Sequence, residues 1–187
     1  CHRAASVKEE IAFALQHEDL AGIFGKLLEN GEVPLRVTHN DTKLNNIMID
    51  LETGKGICVV DLDTVMPGLA MNDFGDAIRF GASTALEDEK DLSKVSCDME
   101  LYEIYVKGFL ESCGDKLNAR EIEMLPMGAK VMTYECGIRF LTDYLEGDHY
   151  FKIDREDHNL DRCRTQFKLV ADMEQKWEQM QAIVKKY

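Results

Sequence analysis

Thr38-His39-Asn40-Asp41-Thr42-Lys43-Leu44-Asn45-Asn46-Ile47-Met48-Ile49-Asp50, a turn, and then Ile57-Cys58-Val59-Val60-Asp61-Leu62-Asp63-Thr64 is the stretch that decides how this chain is read. It gathers His39, Asp41, Lys43, Asn45, Asn46, Asp61 and Asp63 within 25 residues. Ile47 to Asp50 and Ile57 to Val60 are short and β-branched, and Glu52-Thr53-Gly54-Lys55-Gly56 between them has turn composition. The pattern predicts a loop, a β-hairpin and a second loop, with polar residues on both sides of the hairpin.

Phosphoryl transfer needs such an arrangement. The protein must hold metal-bound phosphates, set a carboxylate against the attacking hydroxyl and stabilise charge on the moving group. Protein kinases do this with H-R-D-L-x-x-x-N followed by D-F-G. Here His39-Asn40-Asp41 with Asn46 keeps the first spacing, and Asp61-Leu62-Asp63 replaces the second motif. Asp41 is the candidate general base, its alternative being a loop Asp that closes an Asx-turn. Asn46 and Asp61 are candidate oxygen ligands for Mg²⁺, or else caps of the two hairpin ends. Asp63 either takes a second metal or holds the loop. His39 reads as a structural hydrogen-bonding residue of the loop, because Asp41 already fills the base role.

The flanks read as helical. Ser6 with Glu9 has the spacing of a capping box before a helix to about His17, and a second helix continues to Asn30-Gly31. Leu35 to Thr38 reads as a short strand, and Met66-Pro67-Gly68 as a break. Asn72 or Asp73 is positioned to cap a helix ending at Gly81, and capping accounts for Asp73 and Asp76, with a supporting role for Asp76 beside Arg79 left open. Glu87 to Lys94 reads as a solvated connection. A helix follows from Met99 to near Gly114. Asn118 with Glu121 opens another, bent near Pro126 and Gly128 and stopped by Gly147. Leu160 to Val184 keeps three-four spacing and predicts one final helix of about 25 residues.

The block at 38–50 and 57–67 resembles the aminoglycoside phosphotransferase and choline kinase superfamily, and within it the N-acetylhexosamine 1-kinases. The similarity continues through Asn72 to Arg79, Arg139 to Asp148 and His158 to Leu169. It implies an α+β, mostly helical fold: the C-terminal lobe of a protein-kinase-like enzyme, with a small β-hairpin carrying the catalytic and metal loops. It further implies ATP and Mg²⁺ as cofactors and the anomeric hydroxyl of N-acetylglucosamine or N-acetylgalactosamine as acceptor. Lys43 matches a lysine that faces the transferred phosphate, against the alternative of a solvated lysine. Arg139 and Tyr150 match stretches that help form the sugar pocket, the alternative for Arg139 being a buried ion pair or a snorkelling side chain. Tyr144 and Trp177 have rings suited to stacking on a sugar, with Trp177 on the apolar stripe.

Nothing before residue 39 has a Gly-rich loop or a strand lysine, so residues 1–187 are expected to form one domain whose nucleotide lobe lies outside this chain. Spacing alone does not separate a sugar from an aminoglycoside, choline or homoserine hydroxyl, nor an enzyme from a non-catalytic binding lobe. Twenty-two basic residues against 35 acidic ones give a net charge of −13, which argues against nucleic acid or an anionic membrane as partner. The six cysteines lack metal-ligand spacing and read as reduced, mostly buried thiols, and with no apolar run of membrane length and no signal-like opening a cytoplasmic protein is expected.

Overall fold

A computed structural model describes residues 2–187; Cys1 lies outside them. The chain is mostly helical, with two separate antiparallel pairs of strands. It opens with α1 (Lys8–Gln16) and α2 (Ile23–Glu29). Gly31, at φ +70°, ends α2: its N–H reaches the Leu28 carbonyl at 3.0 Å and the Glu32 N–H reaches that of Leu27 at 2.9 Å. These two bonds satisfy carbonyls that a helix end otherwise leaves bare.

Strand β1 (Arg36–Thr38) leads into the polar loop, and β2 (Ile47–Ile49) with β3 (Gly56–Val59) forms the expected hairpin, Ile47 opposite Val59 and Met48 opposite Cys58. The Met66-Pro67-Gly68 segment is not a simple break. It is strand β4 (Met66–Gly68), paired with β1 so that Pro67 faces Val37. Proline is tolerated there because the pair has no further strand to serve.

The helical body consists of α3 (Ala70–Gly81), α4 (Met99–Cys113), α5 (Ala119–Glu123), α6 (Leu125–Glu146), α7 (His158–Gln175) and α8 (Trp177–Lys186). Helix α6 lies between α3 and α7. Met71, Phe74, Tyr102, Leu125, Met173 and Met180 fill one core cluster; Tyr134, Phe140, Leu141, Phe167 and Val170 fill a second along α6 and α7. Each such side chain contributes roughly 1.5–3 kcal/mol through burial. The crossing of α3 and α6 is set by two glycines. A Cβ on Gly128 would lie 2.2 Å from the Met71 carbonyl oxygen, and one on Gly75 would lie 2.2 Å from that of Gly128.

Several expectations change. Ser6 caps nothing: its hydroxyl donates to the Arg3 carbonyl, and Val7 occupies the N-cap. The capping box of Asn118 and Glu121 does form, yet Met124 separates α5 from α6 and Pro126 falls in the first turn of the new helix, where its missing N–H costs no bond. Gly128 therefore serves close packing rather than a bend. The final helix is two, parted at Lys176, whose ammonium is tied to Asp172 at 2.7 Å and to the Cys97 carbonyl at 2.9 Å. Within 87–94, Lys90, Asp91, Ser93 and Lys94 are exposed as expected, whereas Glu87 to Glu89 are anchored: Glu87 accepts from Arg79 at 2.8 Å, Asp88 from Arg155 at 3.1 Å, and the Glu89 carbonyl from Thr165 at 3.1 Å.

All five cysteines among the described residues are free, Cys97 and Cys163 buried and Cys58 exposed on the hairpin. No helix of the described residues is long and apolar enough to cross a membrane. Gly128→Ala is expected to cost about 3 kcal/mol, since the added carbon meets backbone rather than a movable side chain. That cost would read as a melting temperature lower by roughly 6–12 °C, and an unchanged midpoint would contradict this packing.

Candidate active site

The site is built on two loops that backbone alone would not hold in place. Asn40 and Asp61 both sit at φ 63°, in the left-handed region that Asn and Asp tolerate better than other non-glycine residues. Asn40 is fixed on both flanks: Thr38 Oγ1 lies 3.0 Å from its Oδ1, and its Nδ2 donates to the Thr64 carbonyl at 3.0 Å. His39 joins the loops as well. Its Nε2 donates to the Val60 carbonyl at 3.0 Å, and its own carbonyl accepts from Thr64 Oγ1 at 2.7 Å. This is the structural role that the sequence suggested for it.

The residue that sequence reasoning misplaced is Asp73. Helix α3 starts at Ala70 without a side-chain cap, so Asp73 lies one turn inside it. Its carboxylate accepts the His39 N–H and the Asn40 N–H, each at 2.8 Å, while its carbonyl accepts from Thr42 Oγ1 at 2.5 Å. Asp73 thus holds the backbone immediately before Asp41 and the Thr42 hydroxyl immediately after it. Gly68 belongs to the same support: a Cβ there would lie 2.2 Å from Thr38 Oγ1 and 2.9 Å from Asn40 Oδ1. Both residues were legible only as helix and turn formers, because their partners lie about 30 positions away in the chain.

Asp41, Lys43 and Asn46 come together. Asp41 Oδ2 accepts from Lys43 Nζ at 2.7 Å and from Asn46 Nδ2 at 2.9 Å, and the same amide donates to the Asp41 carbonyl at 2.9 Å. Asn46 is buried, and with Nδ2 engaged its Oδ1 is the atom left as an acceptor. Burial pushes the Asp41 carboxyl up, but the bonds from Lys43 and Asn46 outweigh it, and the group titrates below the ordinary carboxylate range. It is ionised at neutral pH, as a proton acceptor must be.

Asp61 and Asp63 lie within hydrogen-bonding reach of each other. The bond and the charge of Asp63 raise the Asp61 carboxyl, with a further push from Asp41. A carboxyl raised by neighbouring negative charge, as that of Asp61 is, suits a cation, which would relieve the repulsion. Among the described residues no group of three or more His, Cys, Asp or Glu side chains converges into a metal cage. Asn46, Asp61 and Asp63 carry the oxygen atoms that could serve a hard cation, which would need further ligands from phosphate and water.

Arg139 and Tyr150 meet elsewhere, in a cavity of about 370 Å³ lined also by Thr142, Asp143, Glu146 and Phe151 and by no residue of the catalytic loop. The Arg139 guanidinium lies 5.9 Å from the Tyr150 ring centre and 5.5 Å from that of Phe151, with Glu135 at 3.8 Å. It is half-exposed rather than a buried ion pair. Asp143 shapes this wall: it accepts the backbone N–H groups of His149, Tyr150 and Phe151 at 2.8, 2.8 and 2.9 Å. Tyr144 is buried with its hydroxyl on Asp157 at 3.0 Å, so its ring is not offered for stacking. Trp177 is half-buried on α8 with Lys130 Nζ 5.2 Å from its ring centre.

The expectation that Asp76 serves as a cap is also revised. It sits in the second turn of α3, buried, and accepts from Arg79 Nη2 at 2.9 Å and Nε at 3.1 Å.

The sequence that builds these loops matches a known family. The model of the Phosphotransferase enzyme family matches residues 1–102, more than half of the chain, and spans Asp41, Asn46, the hairpin, Asp61 and all of α3. The chain belongs to the phosphotransferase enzyme family.

Proposed function

We propose that this chain is the C-terminal lobe of an ATP- and Mg²⁺-dependent small-molecule kinase whose acceptor is the anomeric hydroxyl of N-acetylglucosamine or N-acetylgalactosamine. Phosphotransferases of this family generally use ATP and a divalent metal. The observation that carries the catalytic reading is the convergence of Asp41, Lys43 and Asn46 on a loop whose backbone is clamped by Asp73. The choice of acceptor is supported by the resemblance at 38–67, 139–148 and 158–169. A nucleotide lobe outside these residues would complete the site.

Bound Mg²⁺-ATP supplies the phosphoryl group and part of the charge that neutralises it in flight. Asp41, ionised and held at Oδ2 by two donors, accepts the proton of the acceptor hydroxyl as attack begins. Lys43 is placed to share its charge between Asp41 and the transferred group, and loosens its hold on Asp41 as the proton arrives. Asn46 Oδ1 and the Asp61 carboxylate would hold the cation, and Asp63, beside Asp61, would add a ligand or keep the loop in register.

The test is turnover by the full-length protein with Mg²⁺ and ATP against N-acetylglucosamine, N-acetylgalactosamine, choline and kanamycin, the product identified by phosphorus NMR. An anomeric phosphate is expected only from the hexosamines; exclusive turnover of another acceptor would overturn the substrate. Asp41→Asn should lower kcat about 10²–10⁴-fold while leaving acceptor binding intact, and a variant that retains its rate would remove Asp41 from the base role.

The pH profile gives an independent check. Activity requires ionised Asp41, so kcat should fall as pH drops through its titration, below the ordinary carboxylate range. In Lys43→Ala the burial effect stands less opposed, and the acid limb should move to higher pH. A limb that stays in place would show that Asp41 is not the titrating group.

A further inference from the structure

A cavity of about 490 Å³ lies between the end of α3 and α4, and Leu44 of the catalytic loop is part of its wall. Along α4, Leu101, Ile104, Tyr105 and Gly108 follow the three-four spacing of one helix stripe, and Gly81 stands on the α3 side. None of the catalytic roles above falls on these residues. Leu44, Leu101 and Ile104 are 47 %, 45 % and 61 % exposed, so large apolar side chains around the cavity are left half-covered. Gly108 is the unexpected member. It lies inside α4, where glycine costs helix stability relative to alanine. Close packing does not ask for it: a Cβ would meet nothing within 4 Å, whereas at Gly75 and Gly128 backbone blocks one at 2.2 Å. Its backbone does not ask for it either, being ordinary right-handed helix. What glycine does at this position is leave the cavity open.

Size and charge narrow the occupant. The volume falls within the range of small-molecule sites, whereas the wall spans only about three turns of α4 and one helix end, short of the roughly 20–30 residues that a stable protein partner covers. No charged residue lines the cavity. Burial, with the charges of Asp73 and Asp76, pushes the Tyr105 hydroxyl up to about 12, so it is neutral at pH 7, and an anion beside it would meet the same repulsion. An ammonium group would find no carboxylate in the wall. An uncharged, largely apolar molecule remains. The rings of Tyr105 and Phe109, with planes 20° apart and centres separated by 6.4 Å, favour a flat one.

Leu44 gives such a ligand a route to the chemistry. It follows Lys43 directly and opens the 3₁₀ turn that ends at Asn46, a turn closed by the Asn46 N–H on the Lys43 carbonyl at 3.0 Å. Its side chain lies near the end of α3, where a Cβ on Gly81 would come within 3.7 Å of it. We propose that the cavity is a binding site for a small uncharged aromatic effector, whose contact with Leu44 acts on the turn between Lys43 and Asn46. The effect on turnover rests on the kinase reading, and the site itself does not.

The probe is indole, which has no charge and no alcohol to be phosphorylated, added to the full-length protein and followed by calorimetry and by the resonances of the Leu44 methyls and the Gly108 amide. Saturable binding with a Kd of roughly 0.1–1 mM is expected, with both sets of resonances shifting. Tryptamine and indole-3-acetate, its cationic and anionic relatives, should bind at least about tenfold more weakly. Gly108→Leu fills the space with a better helix former, so Kd should rise about tenfold or more while the melting temperature is unchanged or higher. Gly108→Ala leaves room and should bind within about threefold of the wild type. Saturating indole should change kcat by about twofold or more in the wild type and not in Gly108→Leu. No saturable binding, or binding that Gly108→Leu leaves intact, would overturn the proposal, as would equal affinity for indole-3-acetate. A melting temperature lowered by more than about 5 °C in Gly108→Ala would overturn it too, because the glycine would then be serving packing. Binding that alters no rate in an active enzyme would overturn the effector role, whereas binding to a protein that phosphorylates nothing would support the site and sink the kinase reading.

Discussion

The carboxylate of Asp73, accepting the backbone N–H groups of His39 and Asn40, is the contact on which the catalytic half of the molecule depends. Asn40 is in a left-handed conformation that costs free energy, and Asp41 follows it directly. Hydrogen bonds from an amide to an ionised acceptor contribute roughly 1.5–3 kcal/mol each, enough to hold a loop that has no regular structure of its own. Because Asp73 lies on α3, and α3 is locked to α6 through Gly75 and Gly128, the position of the candidate base is tied to the rigid core.

The same device recurs. Asp143 collects three consecutive backbone amides at 149–151 and so sets the loop that carries Tyr150. Asp172 accepts from the Cys97 N–H and from Lys176, which places the chain entering α4 and separates α7 from α8. Glu121, fully buried, accepts the Asn118 N–H and a two-pronged Arg36, joining β1 to α5. For Asp143, Asp172 and Glu121, burial raises the carboxyl and the hydrogen bonds more than reverse it, so each titrates below its ordinary range. Their stabilising contribution is present above the unfolded-state carboxylate pKa and is lost as pH falls through the lower folded value. Part of the acidic composition is thus internal scaffolding.

This explains what the sequence could and could not reveal. The hairpin was legible because its alternation and turn are local, and so was the capping box of Asn118 and Glu121. The cluster of Asp41, Lys43 and Asn46 was legible because all three lie within six residues. Asp73 was read as a cap because its partners are 33 and 34 residues upstream and its spacing gives no hint of them. The charge density of 87–94 correctly marks Lys90, Asp91, Ser93 and Lys94 as solvated, but not Glu87 to Glu89, which Arg79, Arg155 and Thr165 draw in. The break at Lys176 escaped notice because the apolar spacing continues through it unbroken.

The most direct measurement of the account is the steady-state rate of Asp73→Asn in the full-length protein, with its melting temperature recorded under the same conditions. An amide at this position can accept from only one of the two backbone N–H groups, so the turn before Asp41 loosens while Asp41, Lys43 and Asn46 remain. The expected result is a kcat lower by about 10²-fold, a KM for ATP and for the acceptor changed by no more than about threefold, and a protein that remains folded at the assay temperature. Full kcat in a folded Asp73→Asn protein would contradict it, as would a loss no larger than the fraction unfolded.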